Sequence, residues 1–147
     1  MKRFVIMLSM LGLLGMAAHT RAEEPPQMTV WKSPWCECCG SWVEHMRAAG
    51  FKIQVREVED LDLVKQMAAV PDNLQSCHTA RVGGYTVEGH VPAEDVMRLL
   101  EERPDAIGLV VPGMPSGSPG MENGEHDPYH VLMLMHDGKT GVFSSHR

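Results

Sequence analysis

Apolar and polar positions recur along the first fifty residues with two different periods, which predict a strand followed by a helix. Residues 28–32 alternate as a half-buried strand does, and Pro34 ends the run. Beyond it, Trp42 and Met46 lie one helical turn apart on an apolar face. Gly50 stands where the C-terminal cap of that helix belongs.

The same change of period continues along the chain. Ile53 and Val55 predict a second strand, and the apolar positions of 61–68 predict a second helix that stops before Pro71. Two strand-like runs then flank a two-residue Gly-Gly turn at positions 83 and 84, which predicts a β-hairpin. Pro92 opens a third helix.

These elements give the order β-α-β-α-β-β-α, an α/β order that thioredoxin-like and glutaredoxin-like domains share. Residues 112–121 are rich in Gly, Pro and Ser and predict a long loop. Apolar runs at 131–135 and 140–143 flank a turn and predict a C-terminal hairpin. The predicted fold is therefore a thioredoxin-like domain with a C-terminal loop and hairpin extension.

The N-terminus has the pattern of a secretory signal peptide. Lys2 and Arg3 precede an apolar run over 4–18, and a small-residue cleavage pattern ends at Ala22. The run is shorter than the roughly twenty residues of a membrane span. We therefore expect a signal peptide over 1–22, a single domain over 23–147, no membrane segment after cleavage, and a periplasmic location.

Charge excludes one class of partner. Removing residues 1–22 removes three basic residues and no acidic one, which leaves 10 basic and 19 acidic residues and a net charge of −9 with histidine neutral. Nucleic-acid binding requires clustered Lys and Arg on the protein surface, so no nucleic-acid partner is expected. An acidic surface attracts cations instead.

The four cysteines carry the candidate chemistry. Cys36, Cys38 and Cys39 occupy three of four consecutive positions, and Cys77 follows about forty residues later, directly before His78. In the predicted fold, the first three lie at the start of the first helix and Cys77 lies at the entry to the neighbouring strand. Four thiols and an imidazole should then meet near a helix N-terminus, which favours thiolate.

Five segments of the chain match the motifs of a known family. They are Lys32-Ser33-Pro34-Trp35-Cys36-Glu37-Cys38-Cys39-Gly40-Ser41-Trp42-Val43, Ser76-Cys77-His78-Thr79-Ala80, Val82-Gly83-Gly84-Tyr85, Glu88-Gly89-His90-Val91-Pro92-Ala93-Glu94-Asp95 and Val111-Pro112-Gly113-Met114-Pro115. With these motifs the chain resembles the CopG-like family of copper-resistance proteins, small exported bacterial proteins unrelated to the plasmid repressor of that name. The resemblance covers nearly all of the chain after the signal peptide and implies a thioredoxin-like fold and a role in copper handling.

Three kinds of chemistry fit the cysteines. Structural disulfides would use up the thiols, and a second bridge beside Cys36–Cys39 would leave none free. Cys36 and Cys39 have the Cys-x-x-Cys spacing of thiol–disulfide exchange, although Cys38 between them would trap mixed disulfides. The spacing is too tight for an ordinary zinc site. Copper(I) is soft and accepts crowded, bridging thiolates, so it fits best.

The sequence offers further candidate ligands near the cysteines and in the loop. His78 can join the site only if the strand entry is irregular. Met114 and Met121 lie in the turn-rich loop, where they either offer thioether sulfur to copper, cover the site, or simply pack. His45 is interpreted as a solvated histidine and His90 as a turn residue.

The sequence therefore predicts an exported protein that binds more than one Cu(I) ion through Cys36, Cys38, Cys39 and Cys77. It would sequester, transfer or convert copper, with copper ions and other periplasmic copper proteins as candidate partners. A thiol–disulfide oxidoreductase that uses Cys36 and Cys39 is the alternative, and whether the protein is an enzyme stays open.

Overall fold

The structure, a computed structural model, describes residues 26–147. The predicted signal peptide and the first residues of the predicted domain lie outside this range. The described part is a mixed α/β domain built on one seven-stranded sheet. None of the helices in this described part has the length and apolar character of a membrane span.

The elements follow the predicted β-α-β-α-β-β-α order and then continue with three more strands. They are β1 (Gln27–Lys32), α1 (Glu37–Ala48), β2 (Lys52–Glu57), α2 (Asp62–Met67), β3 (His78–Val82), β4 (Tyr85–Glu88), α3 (Ala93–Glu102), β5 (Gly108–Val110), β6 (Tyr129–Leu134) and β7 (Thr140–His146). A 3-10 turn, Asp72–Leu74, precedes β3. The predicted hairpins β3–β4 and β6–β7 are confirmed, and the loop predicted over 112–121 is part of a longer loop of residues 111–128.

The strand order in the sheet is β2-β1-β3-β4-β5-β6-β7. β1 runs parallel to β2 and antiparallel to β3, and β4 runs parallel to β5. Gly83 and Gly84 form the β3–β4 turn with φ of +57° and +93°, a backbone region that glycine enters at little cost. This tight turn sets the register in which Thr79 pairs with Glu88.

The sheet contains one strand more than the sequence pattern predicts. Gly108–Val110 forms β5, which joins the predicted core sheet to the C-terminal hairpin. Three apolar residues without alternation carry no strand signal of their own. A Cβ on Gly108 would lie 1.7 Å from the Thr86 carbonyl oxygen, so glycine is what lets β5 approach β4 here.

Helices cover both faces of the sheet near its centre. His78 and Thr79 are neighbours on β3 and therefore point to opposite faces. The His78 ring packs on Trp42 of α1, with 4.4 Å between ring centroids, whereas the Thr79 hydroxyl meets Lys65 of α2. The core of buried apolar side chains includes Met28, Val30, Trp42, Val43, Met46, Ala80, Val82, Val87, Val96, Leu99 and Leu109.

Candidate metal centre

The first helix begins within the cysteine motif. Cys36 is the N-cap of α1, with φ −82° and ψ 95°, and its side chain makes no capping hydrogen bond. Cys38 and Cys39 lie in the first turn, where backbone N–H groups have no acceptor inside the helix. The partial positive charge of this helix end favours sulfur as thiolate or as a metal ligand.

Two of the cysteines are bonded to each other. Cys36 and Cys39 form a disulfide with Cα atoms 5.3 Å apart, and Cys38 and Cys77 are free. The Cys38 sulfur lies 3.5 Å from the Cys36 sulfur. Because a disulfide sulfur carries no proton, Cys38 is the donor in this contact. The single bridge among the described residues leaves two thiols, so the cysteines are not all locked in structural disulfides.

Strand pairing brings Cys77 to the helix end. β1 leads into the Cys36 turn, and β3 pairs with β1 so that His78 lies opposite Lys32. Cys77 directly precedes β3 and sits beside the other three cysteines. The four sulfur atoms of Cys36, Cys38, Cys39 and Cys77, hereafter the cysteine cluster, all lie within 4.8 Å of one another. The predicted meeting of the two segments is confirmed.

Two histidines join the same centre. Cys77, His78 and His90 form a second group, the Cys–His group, with ligand atoms within 4.8 Å of one another. The Cys77 sulfur lies 3.3 Å from Nδ1 of His78 and 3.0 Å from Nε2 of His90. Cys77 therefore belongs to both groups and links a set of sulfur donors to a pair of imidazoles.

His90 was wrongly interpreted from the sequence as a simple turn residue. The Gly-Gly turn pairs Val82 with Tyr85 and Thr79 with Glu88. Continuing this register by two residues on each side places His90 opposite Cys77. The signal was therefore present in the hairpin, and counting outward from the turn would have found it.

The hydrogen bonds of His90 define its tautomer. Its Nδ1 lies 2.8 Å from the Pro119 carbonyl oxygen, which can only accept, so Nδ1 carries the proton. Burial lowers the pKa of His90, which keeps the ring neutral. Nε2 then presents a lone pair to the Cys77 sulfur. An imidazole held by a carbonyl at one nitrogen and open at the other is the usual arrangement of a metal-binding histidine.

His78 is fully buried and has an unused nitrogen. Its Nε2 is buried without a hydrogen-bond partner, which is uncommon for a polar atom inside a protein. Burial lowers the pKa of His78 well below its ordinary value, and the nearby His90 and Lys65 act in the same direction. The 3.3 Å contact between its Nδ1 and the Cys77 sulfur shows that the strand entry is irregular enough for the two side chains to meet.

Cys77 is protonated in the metal-free protein. Burial raises its pKa to about 12, and neighbouring Cys38 adds to the rise. The thiol then donates to Nε2 of His90. The Cys39 sulfur lies 3.7 Å from the Cys77 carbonyl oxygen, which is a contact and not a hydrogen bond while Cys39 is in the disulfide.

The loop of residues 111–128 closes over this centre. The Ser76 hydroxyl donates to the Gly113 carbonyl, and Pro119 holds His90. A Cβ on Gly120, which has φ of +87°, would lie 2.7 Å from the Cys38 carbonyl oxygen and 2.8 Å from the Trp42 nitrogen. Glycine at this position therefore lets the loop backbone rest on the first turn of α1.

The loop carries both predicted thioether residues. Met114 follows Gly113 and is 51% exposed, and Met121 follows Gly120 and is half-buried. Each thus neighbours a loop residue that contacts the site. Their role as copper ligands stays a prediction.

The other histidines of the described chain lie outside both groups. His45 was expected to be solvated, but its Nε2 accepts the backbone N–H of Ala93 at 3.1 Å and so caps the start of α3. His146 bonds to Asp95, with 2.8 Å between Nε2 and Oδ2. These contacts stabilise the fold around α3 and not the cysteine cluster.

Comparison with known proteins identifies the family. A family model described as "Protein of unknown function, DUF411" matches residues 74–121, which include Cys77, His78 and His90 but not the other three cysteines. Two solved structures of copper resistance protein copG, form 2 and form 1, are each 42% identical to this chain and cover 84% of it. The matches span 100% and 98% of those chains, with TM-scores of 0.81 and 0.79. No curated protein matches.

The chain belongs to the family of copper resistance protein copG. The cysteine sulfur and histidine nitrogen atoms of the site fit copper, the metal that the family's name contains. Thiolate sulfur is a ligand for soft metal ions, copper(I) and zinc among them, and imidazole is also a ligand for copper. The cysteine cluster and the Cys–His group together offer both kinds of donor within one small volume.

Proposed function

We propose that this protein is an exported copper-binding protein that holds Cu(I) chiefly through Cys36, Cys38, Cys39 and Cys77 and acts in copper resistance. Four sulfur atoms within 4.8 Å of one another carry the proposal. Ligands this close can bridge several ions, so more than one copper ion per chain is expected. His78 and His90 extend the donor set through Cys77.

The fold around the site and the N-terminal sequence support the remaining parts of the proposal. The β-α-β-α-β-β-α order and the strand order β2-β1-β3-β4 support a thioredoxin-like core, to which β5, β6 and β7 are added. The pattern of residues 1–22 supports export to the periplasm. There the protein would sequester copper, pass it to other periplasmic copper proteins, or change its oxidation state.

Metal analysis of fully reduced protein, combined with copper X-ray absorption spectroscopy, tests this function. We expect about two or more copper ions per chain and a first shell made mainly of sulfur, since thiolates are the preferred Cu(I) ligands. A ratio of one or below, or a shell made mainly of nitrogen and oxygen, would contradict the proposal.

A thiol–disulfide oxidoreductase is the second candidate. The disulfide between Cys36 and Cys39 at a helix N-terminus favours it, because this is the position of a reactive Cys-x-x-Cys pair. Such an enzyme turns over a test disulfide without metal. Measuring that turnover in metal-free protein separates the two candidates, and the copper-binding proposal expects none.

Replacement of Met114 and Met121 by leucine tests the loop thioethers. The change conserves volume, so we expect a loss of stability below about 1.5 kcal/mol. Cu(I) affinity, measured by competition with a chelator, should fall by roughly tenfold, the lower end of the loss that changes to the residues around metal ligands produce. The control replaces Met67 and Met97, which are 76% and 43% exposed and lie on helices. Equal affinities for both double variants would show that the loop methionines only pack.

A further inference from the structure

A buried charged network lies behind the cysteine cluster, on the other face of the sheet. Lys65 of α2 and Glu88 at the end of β4 are 4% and 0% exposed, and Nζ of Lys65 lies 2.5 Å from Oε1 of Glu88. The Thr79 hydroxyl donates to Oε2 of Glu88 at 2.6 Å. The copper-binding proposal does not use this network.

Glu88 also holds the segment that carries Cys77. Its Oε1 accepts the backbone N–H of Ser76 at 2.7 Å. Ser76 lies between the 3-10 turn and β3, where no strand partner holds its amide. The carboxylate therefore replaces a ladder hydrogen bond at the residue directly before Cys77.

Backbone hydrogen bonds of Glu88 and Gly89 also fix other parts of the site. The Glu88 carbonyl accepts the N–H of Val111, where the loop begins, and Gly89 donates its N–H to the His78 carbonyl. A Cβ on Gly89, which has φ of +74°, would lie 2.6 Å from Cβ of Ser76. The two residues Glu88 and Gly89 thus contact Ser76, His78 and the loop, and His90 follows them directly in the chain.

A buried ion pair is not an efficient source of stability. Removing two charges from water costs about as much as, or more than, their attraction returns, and apolar side chains of similar volume often stabilise a fold equally well. The particular value of Glu88 lies in its geometry, since its Oε1 accepts the backbone N–H of Ser76. Lys65 donates to the same oxygen and helps to keep it in that position.

We propose that Glu88 is the positioning residue for Cys77, and that the hydrogen bond from the Ser76 N–H to its side-chain oxygen sets the copper affinity of the cysteine cluster. The affinity part of this proposal rests on the proposed copper-binding function. Cys77 links the cysteine cluster to the Cys–His group, so a shift of its sulfur weakens both sets of ligands at once.

Two double variants test the positioning role. Lys65→Met with Glu88→Gln removes both charges but keeps an oxygen that can accept the Ser76 N–H. Lys65→Met with Glu88→Leu removes the acceptor as well. We expect Cu(I) affinity near that of the wild type for the glutamine variant and about tenfold weaker for the leucine variant, the loss that one strong hydrogen bond produces.

A second readout does not depend on copper. In metal-free protein with the Cys36–Cys39 disulfide intact, Cys77 and Cys38 are the two free thiols. Mass spectrometry can follow their alkylation separately, with Cys38 as the internal reference. Without an acceptor for the Ser76 N–H, the segment that carries Cys77 is less restrained. The alkylation rate of Cys77 relative to Cys38 should therefore rise about tenfold, and only in the leucine variant.

A third variant tests whether any buried hydrogen bond between β4 and α2 would have the same effect. Thr86→Val removes the bond from the buried Thr86 hydroxyl to the Ala68 carbonyl, and Thr86 does not touch Ser76. Copper affinity and alkylation should stay at wild-type values. If the leucine variant does not fold, Glu88→Asp gives the same test, because it keeps the charge but is too short to reach Ser76 and Lys65 together.

The outcomes separate the two proposals. The positioning role would be overturned if the glutamine and leucine variants had equal alkylation ratios and equal copper affinities. It would also be overturned if Thr86→Val lost as much copper affinity as the leucine variant. Wild-type protein that binds no copper would overturn the proposed function. In that case a raised alkylation ratio in the leucine variant still establishes that Glu88 positions Cys77.

Discussion

Cys77→Ser is expected to lower Cu(I) affinity by about 100-fold or more while leaving the domain folded. The sulfur of Cys77 belongs to both ligand groups, so its loss removes one of four sulfurs from the cysteine cluster and the only sulfur from the Cys–His group. Changes that act on a metal through another residue already cost 10- to 100-fold in affinity, and loss of a shared ligand should exceed that.

Competition with a Cu(I) chelator measures the affinity, and circular dichroism with thermal unfolding checks the fold. Serine is close in size to cysteine, and Cys77 is only half-buried, so little stability should be lost. Gln75→Ala is the control, because it keeps the sulfur and changes a side chain two positions away that bonds to Asp72 and lies outside both ligand groups. Wild-type affinity in Cys77→Ser would contradict a shared role for this sulfur.

Reduction of the Cys36–Cys39 disulfide is expected to raise the copper capacity of the protein. With the bridge formed, Cys38 and Cys77 are the free thiols, and His78 and His90 complete the donors nearby. That set suits about one ion, because copper(I) commonly takes few ligands and disulfide sulfur is a poor one. Four free thiols should instead hold about two or more ions, since thiolates can bridge.

The copper-to-protein ratio after gel filtration, measured with and without prior reduction, tests this coupling. Counting free thiols in the same samples should give two per chain before reduction and four after it. Cys36→Ser with Cys39→Ser is the control, since its copper ratio cannot respond to reductant through this bridge. A ratio that does not change in the wild type would show that these two sulfurs do not bind copper.

Local patterns were enough to predict most of the core. The periods around Trp42 and Ile53 and the Gly83-Gly84 turn each report on a short segment, and the helices and the first hairpin appear where these signals place them. The cysteine cluster was predicted for a related reason. Its two parts are joined by the pairing of β1 with β3, which follows from the element order.

Features that depend on distant segments were not predicted. β5 has only three residues and exists because β4 and β6 lie on either side of it. His45 looked solvated because nothing in its own helix showed that the start of α3 would lie against it. In each case the missing information is a contact between segments that are far apart in the chain.

Period, turn type and spacing are local properties, so the sequence alone predicts that three cysteines begin a helix and that a fourth directly precedes the strand beside it. Which other groups reach that centre depends on contacts between distant segments of the folded chain. Pro119 directs Nε2 of His90 to Cys77, and Gly120 lets the loop rest on Cys38. These contacts of Pro119 and Gly120 require the loop to pack on a helix that lies some eighty positions earlier in the chain. The loop has no periodic pattern, so its course is set by steric fit and hydrogen bonding in three dimensions.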